Sequence, residues 1–317
     1  MTKEVDNTEY KAPIEFNTGV TNVIALGKPE GETVRIGGEN ILPFHFFDDG
    51  SWPNPPVFAL QILDREPPED LPNFLHEPFK DAVHDPAKWA KKVEEFDYVD
   101  AIQLYLLSTD PADQDSSPEK AAEVTRRVAE TTSLPLIIYG SGDPDKDAKV
   151  LPAVCEAVDG MNYLIGPVQK ENYEVLGKAI LAHGLFASVQ TPMDINLLKE
   201  LNVKLGHFFP LERIVIDPLS SALGYGIEYT YSLMERIKQL GEIIKDKMTQ
   251  MPMIADFATE VWRSKQAGEN EEQGILWEAM TSLSLLTAGA NILTHRHLKS
   301  MKLVKEMYES EVKQWQK

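Results

Sequence analysis

Eight short apolar runs alternate with eight segments of helical character, and this alternation constrains the fold more than any other feature of the 317 residues. The runs are Val57-Phe58-Ala59-Leu60-Gln61-Ile62-Leu63 and then 101–107, 136–139, 161–165, 186–189, 214–216, 253–255 and 291–293. Their near-continuous apolarity is that of strands covered on both faces, as in a parallel sheet. Helical segments follow them at 89–96, 118–131, 144–158, 171–183 and 192–201. The sixth carries its apolar positions at Leu233, Met234, Ile237, Leu240 and Ile244, and the last two run 274–287 and from 298 towards 317. Asp85-Pro86, Ser117-Pro118, Asp143-Pro144 and Thr191-Pro192 each set a capping oxygen before a proline suited to a first helical turn. The pattern predicts an α/β chain folded as a (β/α)8 TIM barrel over 57–317, with 1–56 as an N-terminal arm and capping hairpin. An open doubly wound sheet would need a Gly-rich phosphate turn after the first strand, and Asp64-Arg65-Glu66-Pro67-Pro68 is unlike one.

Residues 1–32 read as a polar, patternless arm and 33–36 as a strand. The aromatic segment Leu42-Pro43-Phe44-His45-Phe46-Phe47 reads as a cap on one barrel end or as a face for a partner. A formal charge of −19 argues against nucleic-acid or anionic-membrane binding. No apolar run approaches the roughly 18 residues of a membrane span. The polar N-terminus is unlike a signal peptide, so a cytoplasmic protein is expected. Cys155 is the only cysteine, which leaves no intrachain disulfide and no cysteine-held iron–sulfur or zinc site.

In a barrel of this kind ligands meet the residues after the strands. Those are Asp64; Ser108, Thr109 and Asp110; Gly140, Ser141 and Gly142; Gly166; Gln190 and Thr191; Asp217; Asp256; and Thr294 and His295. Asp217 and Asp256 are the best-placed general bases, and each reads equally as a turn former. The amides of 140–142 have room to meet an anion at a helix start, or simply form a tight turn. On an extended segment His295 and His297 would share a side, a weak metal pair without further ligands. After the sixth strand, Gly224-Tyr225-Gly226 forms a loop at the position where ligands bind. The expected mouth is rich in hydroxyls and amides, with no catalytic residues and no metal ligands assigned.

Several longer motifs resemble a known family. They are Leu42-Pro43-Phe44-His45, Pro53-Asn54-Pro55-Pro56, Gln169-Lys170-Glu171-Asn172-Tyr173, Pro192-Met193-Asp194-Ile195-Asn196, Ile216-Asp217-Pro218, Gly224-Tyr225-Gly226-Ile227-Glu228-Tyr229 and Gly274-Ile275-Leu276-Trp277-Glu278-Ala279. The family is the small subunit of the corrinoid iron–sulfur protein of the reductive acetyl-CoA pathway, related to the acetyl-CoA decarbonylase/synthase delta subunit. The resemblance covers roughly 33–310. It implies a heterodimer with a large subunit that carries a 4Fe-4S cluster, and a corrinoid (cobalamin-type) shared between the two. It further implies methyl transfer from methyltetrahydrofolate, through a separate methyltransferase, to acetyl-CoA synthase. The strand-end residues and Gly224, Tyr225 and Gly226 would then touch the corrinoid. The Asp-x-His-x-x-Gly cobalt-ligating motif of other cobalamin proteins is absent. The competing expectation is a self-sufficient pterin-binding methyltransferase on a similar barrel.

Overall fold

The computed structural model describes residues 19–43 and 51–312. Eight parallel strands form the barrel: β3 (Val57–Leu63), β4 (Ala101–Tyr105), β5 (Leu136–Tyr139), β6 (Leu164–Val168), β7 (Phe186–Gln190), β8 (Ile214–Asp217), β9 (Ile254–Ala255) and β10 (Ile292–His295). Neighbours pair in the order β8-β7-β6-β5-β4-β3-β10-β9. The ring closes between β8 and β9 where the Ile216 N–H donates to the Pro252 carbonyl at 2.8 Å. Helices surround it: α1 (Pro86–Val93), α2 (Pro118–Thr131), α3 (Pro144–Ala157), α4 (Tyr173–Ala182), α5 (Ile195–Gly206), α6 (Ile227–Glu242), the short α7 (Ala258–Arg263) and α8 (Lys265–Glu269), α9 (Glu271–Thr287) and α10 (Leu298–Met307). No helix among the described residues is long and apolar enough to cross a membrane.

The expected caps at Asp85, Ser117 and Asp143 accept from the first-turn amides of Ala87, Lys120 and Lys146. The fourth does not form. Asp194, not Thr191, caps α5, accepting from the N–H groups of Asn196 and Leu197, so Thr191 and Pro192 remain in the loop. The fourth strand also lies three residues later than expected. Asn162 exchanges backbone hydrogen bonds of 2.9 and 3.1 Å with Gly27 and is thereby held outside the barrel ladder. β6 instead runs on through Gly166-Pro167, where its pairing with β7 shifts register and a residue without a donor is accommodated.

Gly27 belongs to an antiparallel hairpin of β1 (Ile24–Gly27) and β2 (Thr33–Ile36). The segment read as patternless therefore contains a strand, whose short length and single alternation gave little periodic signal. Ile24, Leu26 and Ile36 pack against Val57, Ala59, Ala101, Ile137, Leu164, Val215, Ile254 and Ile292, at or near the N-terminal ends of the strands. The hairpin thus plugs the base of the barrel. The aromatic segment Phe44–Phe47 lies outside the described residues.

Strand residues alternate between two environments, as period two requires. Phe58, Leu60 and Ile62 of β3 and Ile102 and Leu104 of β4 join the large core beneath the helices. Val57, Ala59 and Ala101 face the barrel interior with the hairpin. In the same register and further up the strands, the interior becomes polar.

Candidate functional site

The upper layer of the barrel interior consists of Gln61, Gln103, Tyr105, Tyr139, Ser188, Gln190 and Asp217 on strands, joined by Asp256 and Arg296 just past them. Tyr105 donates to the Ser141 carbonyl at 3.4 Å, and the other side chains bond to one another or to Thr259 and Thr294. Gln61 donates to Gln103 at 2.8 Å, and Arg296 donates to Gln61 and, at 3.2 Å, to Thr259. Thr294 donates to Asp256 at 3.0 Å. Asp217 receives Tyr139 OH at 3.1 Å and Gln190 Nε2 at 2.8 Å on one oxygen, and the Leu219 N–H at 2.9 Å on the other. Ser188 lies 2.5 Å from Tyr139 OH.

Burial, reinforced by the charge of Asp256, pushes the Asp217 carboxyl up to about 7, and Gln190, Leu219 and Tyr139 bonds offset only part of this. Burial also raises Asp256 and lifts Tyr139 well above its ordinary range, with Asp217 and Asp256 adding to the shift. The Arg296 guanidinium falls to about 10, chiefly through burial.

Above this layer the mouth opens as a continuous cleft. A central cavity of about 390 Å³ is lined by Tyr105, Tyr139, Gly140–Gly142, Gln169, Gln190, Leu219, Asp256 and Arg263, among others. A lateral cavity of about 510 Å³ shares Gly142, Gln169, Gln190 and Leu219 with it and continues past Thr191, Leu197 and Leu201 to Lys170 and Lys204. Leu219, on the wall common to both, has φ near +60°, a left-handed backbone that costs a non-glycine residue about 1–2 kcal/mol. The Asp217 bond to its N–H helps hold it there.

The residues expected at the mouth divide into three groups. Gln190, Thr191, Gly140, Ser141, Gly142 and Asp256 line the cleft. Asp217 lies one layer below it, fully buried. The others are elsewhere. Ser108 is buried and bonds through its N–H and hydroxyl to Asp64, at 2.9 and 2.5 Å, and Thr109 returns its hydroxyl to the Leu106 carbonyl, so neither is available to a ligand. His295 faces out of the barrel because it is one residue out of register with Thr294. It stands between Ser282 at 2.9 Å and Ser300 at 3.4 Å. His297 caps α10, accepting from the Lys299 N–H, so the two histidines do not form a pair. Among the described residues no group of three or more His, Cys, Asp or Glu side chains stands close enough to hold a metal ion.

The amides of Ser141 and Gly142 do not present an anion site, because both donate at 3.0 Å to the carboxylate of Asp147. Burial raises that carboxyl to about 7 in spite of these bonds. Gly224 and Gly226 adopt positive φ and start α6 beside the mouth. Tyr225, half exposed, donates to Gln266 at 2.6 Å, on the rim and not in either cavity.

Gly166 has a structural part in the site. A Cβ there would stand 2.7 Å from Ser188 Cβ and 3.2 Å from the Tyr139 ring. Gly166→Ala is expected to displace that pair and lower the unfolding free energy by about 1–3 kcal/mol in urea titrations. A wild-type transition would show that the contact is relieved elsewhere.

Sequence reasoning missed Tyr105, Tyr139, Gln169, Leu219 and Arg263. Tyr139 and Tyr105 end their strands in the inward register, a signal present in the sequence. Gln169 was missed with the misplaced end of β6.

A family model described as the CO dehydrogenase/acetyl-CoA synthase delta subunit matches residues 23–308. The acetyl-CoA decarbonylase/synthase complex subunit delta of Methanocaldococcus jannaschii is 33% identical over 319 positions, covering 96% of this chain and 77% of that protein. Its counterpart in Methanothermobacter thermautotrophicus is 32% identical over 311, covering 95% and 78%. Among solved structures, a Yersinia pestis dihydropteroate synthase with a sulfonamide drug complex superposes with a TM-score of 0.58 at 12% identity, over 81% of this chain and 93% of that one. A Coxiella burnetii dihydropteroate synthase in complex with pteroic acid gives 0.56 at 11%, over 90% and 97%. At such identities these structures share the barrel fold and nothing finer. A family match across nearly the whole chain, with relatives about one-third identical, establishes that this protein belongs to the CO dehydrogenase/acetyl-CoA synthase delta-subunit family.

Proposed function

We propose that this chain is the barrel subunit of a corrinoid-dependent methyl carrier within an acetyl-CoA decarbonylase/synthase system, and that it holds and shields a corrinoid over its mouth together with a large iron–sulfur subunit. The observation that carries this reading is the chemistry of the cleft. It is wide and hydrogen-bonding, and the Asp217 carboxylate one layer below it is buried and already satisfied. That suits recognition of a large polar ligand better than proton transfer to a substrate.

The residues present fit such a ligand. Gln169, Gln190, Ser141 and Tyr105 supply amide and hydroxyl groups for the amide side chains of a corrin ring. A corrinoid exceeds either cavity, so it would lie over the mouth and require a second wall, which the large subunit would provide. Bound there, its cobalt would supply the methyl-accepting and methyl-donating chemistry. This chain's part is to hydrogen-bond the ring edge, exclude water from one face and fix its orientation. Leu219, Met193 and Tyr225, each at least one-third exposed around the mouth, offer apolar surface to the ring or partner. A methyltetrahydrofolate methyltransferase and acetyl-CoA synthase would then approach in turn.

The test is a visible absorption spectrum of the chain purified alone and co-purified with its large subunit. Corrinoid bands in the complex, reduced severalfold by Gln169→Leu without loss of folding, are expected. The pterin-binding methyltransferase reading is favoured by one observation, that Gln169 and Asp256 bring an amide and a carboxylate to the central cavity. Methyltetrahydrofolate binding and methyl transfer by the lone chain, with no corrinoid bands in the complex, would establish it in place of the carrier.

A further inference from the structure

The hydrogen bonds from Asp217 to the cleft form a directional chain. An ionised carboxylate only accepts, so Gln190 must turn its Nε2 towards Asp217, the 2.8 Å contact seen. Gln190 Oε1 then faces Gln169 and accepts its Nε2 at 2.7 Å. Gln169 is left with its carbonyl oxygen free of that chain, at the wall shared by the two cavities. Tyr139 also donates to Asp217, with Ser188 behind it, so every side-chain contact to this carboxylate is a donor.

We propose that Asp217 sets the hydrogen-bonding polarity of the cleft through Gln190 and Gln169. With the carboxylate ionised, Gln169 offers an acceptor and the cleft selects ligands that bring an N–H group to that point, such as primary amides, amidines and amino-substituted rings. A proton taken from solvent onto Asp217 reverses the chain. The acid O–H donates to Gln190 Oε1, Gln190 Nε2 donates to Gln169 Oε1, and Gln169 presents its NH₂ to the cleft instead. The two amide ends are nearly isosteric, so the reversal needs rotation of two side-chain amides and no movement of the barrel. The selection of ligands rests on the reading that the cleft is the ligand site, whereas the relay itself does not.

The groups around Asp217 suit such a switch. Tyr139 faces it from β5, Ser188 and Gln190 from β7, the Leu219 N–H from the loop after β8 and the Asp256 carboxylate from the end of β9. Arg296 stands beyond Asp256, with Arg263 further out. Burial and Asp256 together bring the carboxyl to about 7, within reach of ordinary changes in pH.

The experiment uses the full chain labelled with ¹³C and ¹⁵N, with benzamide, which donates N–H, and methyl benzoate, which only accepts, as probes. At about pH 8.5 benzamide is expected to bind at the Gln169 signals about tenfold more tightly, as loss of one hydrogen bond implies. Near pH 5.5 the preference should shrink to parity or reverse, following the titration of the Asp217 carboxyl carbon. Gln190→Met, which keeps the side-chain shape, should abolish the pH dependence while Asp217 still titrates. A preference unchanged by both pH and Gln190→Met overturns the relay. Absence of either probe from the cleft, with the Gln169 amide signals still reversing on titration, overturns the ligand selection and the site reading but not the relay.

Discussion

Replacing Glu278 by alanine is expected to remove about 3–5 kcal/mol of stability, as measured by urea unfolding monitored through tryptophan fluorescence. Glu278 lies on α9, fully buried. One carboxylate oxygen accepts the indole N–H of Trp262 at 2.7 Å and the backbone N–H of Arg296 at 2.8 Å. The other accepts the His297 N–H at 3.1 Å and the Ser300 hydroxyl, with His295 Nδ1 3.7 Å away. One side chain therefore joins α7, α10 and the segment after β10. Truncation would leave these donors without an acceptor in a dry interior, and each such loss costs about 1–3 kcal/mol.

Burial alone would raise this carboxyl, but the neighbouring His295 imidazole, with the Arg296 N–H and Ser300 contacts, more than offsets it and holds the group below the usual range. A depressed carboxyl contributes stability that is present above its unfolded pKa and is lost as pH falls through its folded value. Glu278→Gln should thus lose less than the alanine variant at neutral pH and show a shallower acid limb. A loss below about 1 kcal/mol in Glu278→Ala would mean that water replaces the carboxylate.

Glu278 also shows how much of the molecule was legible in the sequence. The barrel was, because eight two-sided apolar strands and three Asp- or Ser-Pro caps act locally and each has a single structural meaning. The site was legible only in part, because looking past the strand ends passes over the residues that point inward along the strands. In β3 the alternation puts Gln61 inside with Val57 and Ala59, and in β7 it puts Ser188 and Gln190 inside. A polar residue in the inward register of an otherwise apolar strand was the available signal.

His295 and Ser108 misled because both carry polar groups at the expected positions, but those groups are taken by partners on other elements, Ser282 on α9 and Asp64 after β3. The Asp147 carboxylate that occupies the 141–142 amides sits one turn into α3 and gave no local sign of that role. The barrel interior thus grades from an apolar base sealed by the hairpin to a polar layer below the mouth. In this chain that gradient places hydrogen-bonding capacity at the open end and leaves rigidity to the closed one.

The closed end carries the prediction with the clearest sign. Glu242, on α6, is 1% exposed, and neither of its carboxylate oxygens has a hydrogen-bond partner among the described residues. Its nearest cation is Lys238 Nζ at 3.9 Å, already committed to Glu39 and, at 3.1 Å, to Thr21, while Asn291 also donates to Glu39. One lysine thus serves two buried carboxylates. Burial pushes Glu242 up to about 8, with Lys238 lowering it in part and Glu39 raising it. In the unfolded chain a glutamate titrates near about 4.3. The folded state therefore holds a proton that the unfolded state releases. Its contribution is complete below the unfolded value and is lost as pH rises through about 8. Asp147 and Asp217, each near 7, act in the same direction. Stability should decline between about pH 5.5 and 8.5, and Glu242→Gln should remove part of that decline. The advantage of the variant over the wild type is expected to grow by about 2 kcal/mol between pH 6 and pH 8.5, from urea midpoints at constant slope. Because Gly19 donates to the Glu242 carbonyl at 2.7 Å and Thr21 and Glu39 meet Lys238, the same variant should slow amide exchange across 19–39 at the higher pH. A pH-independent difference between the two proteins would show that Glu242 is ionised in the folded state and that Lys238 neutralises both carboxylates.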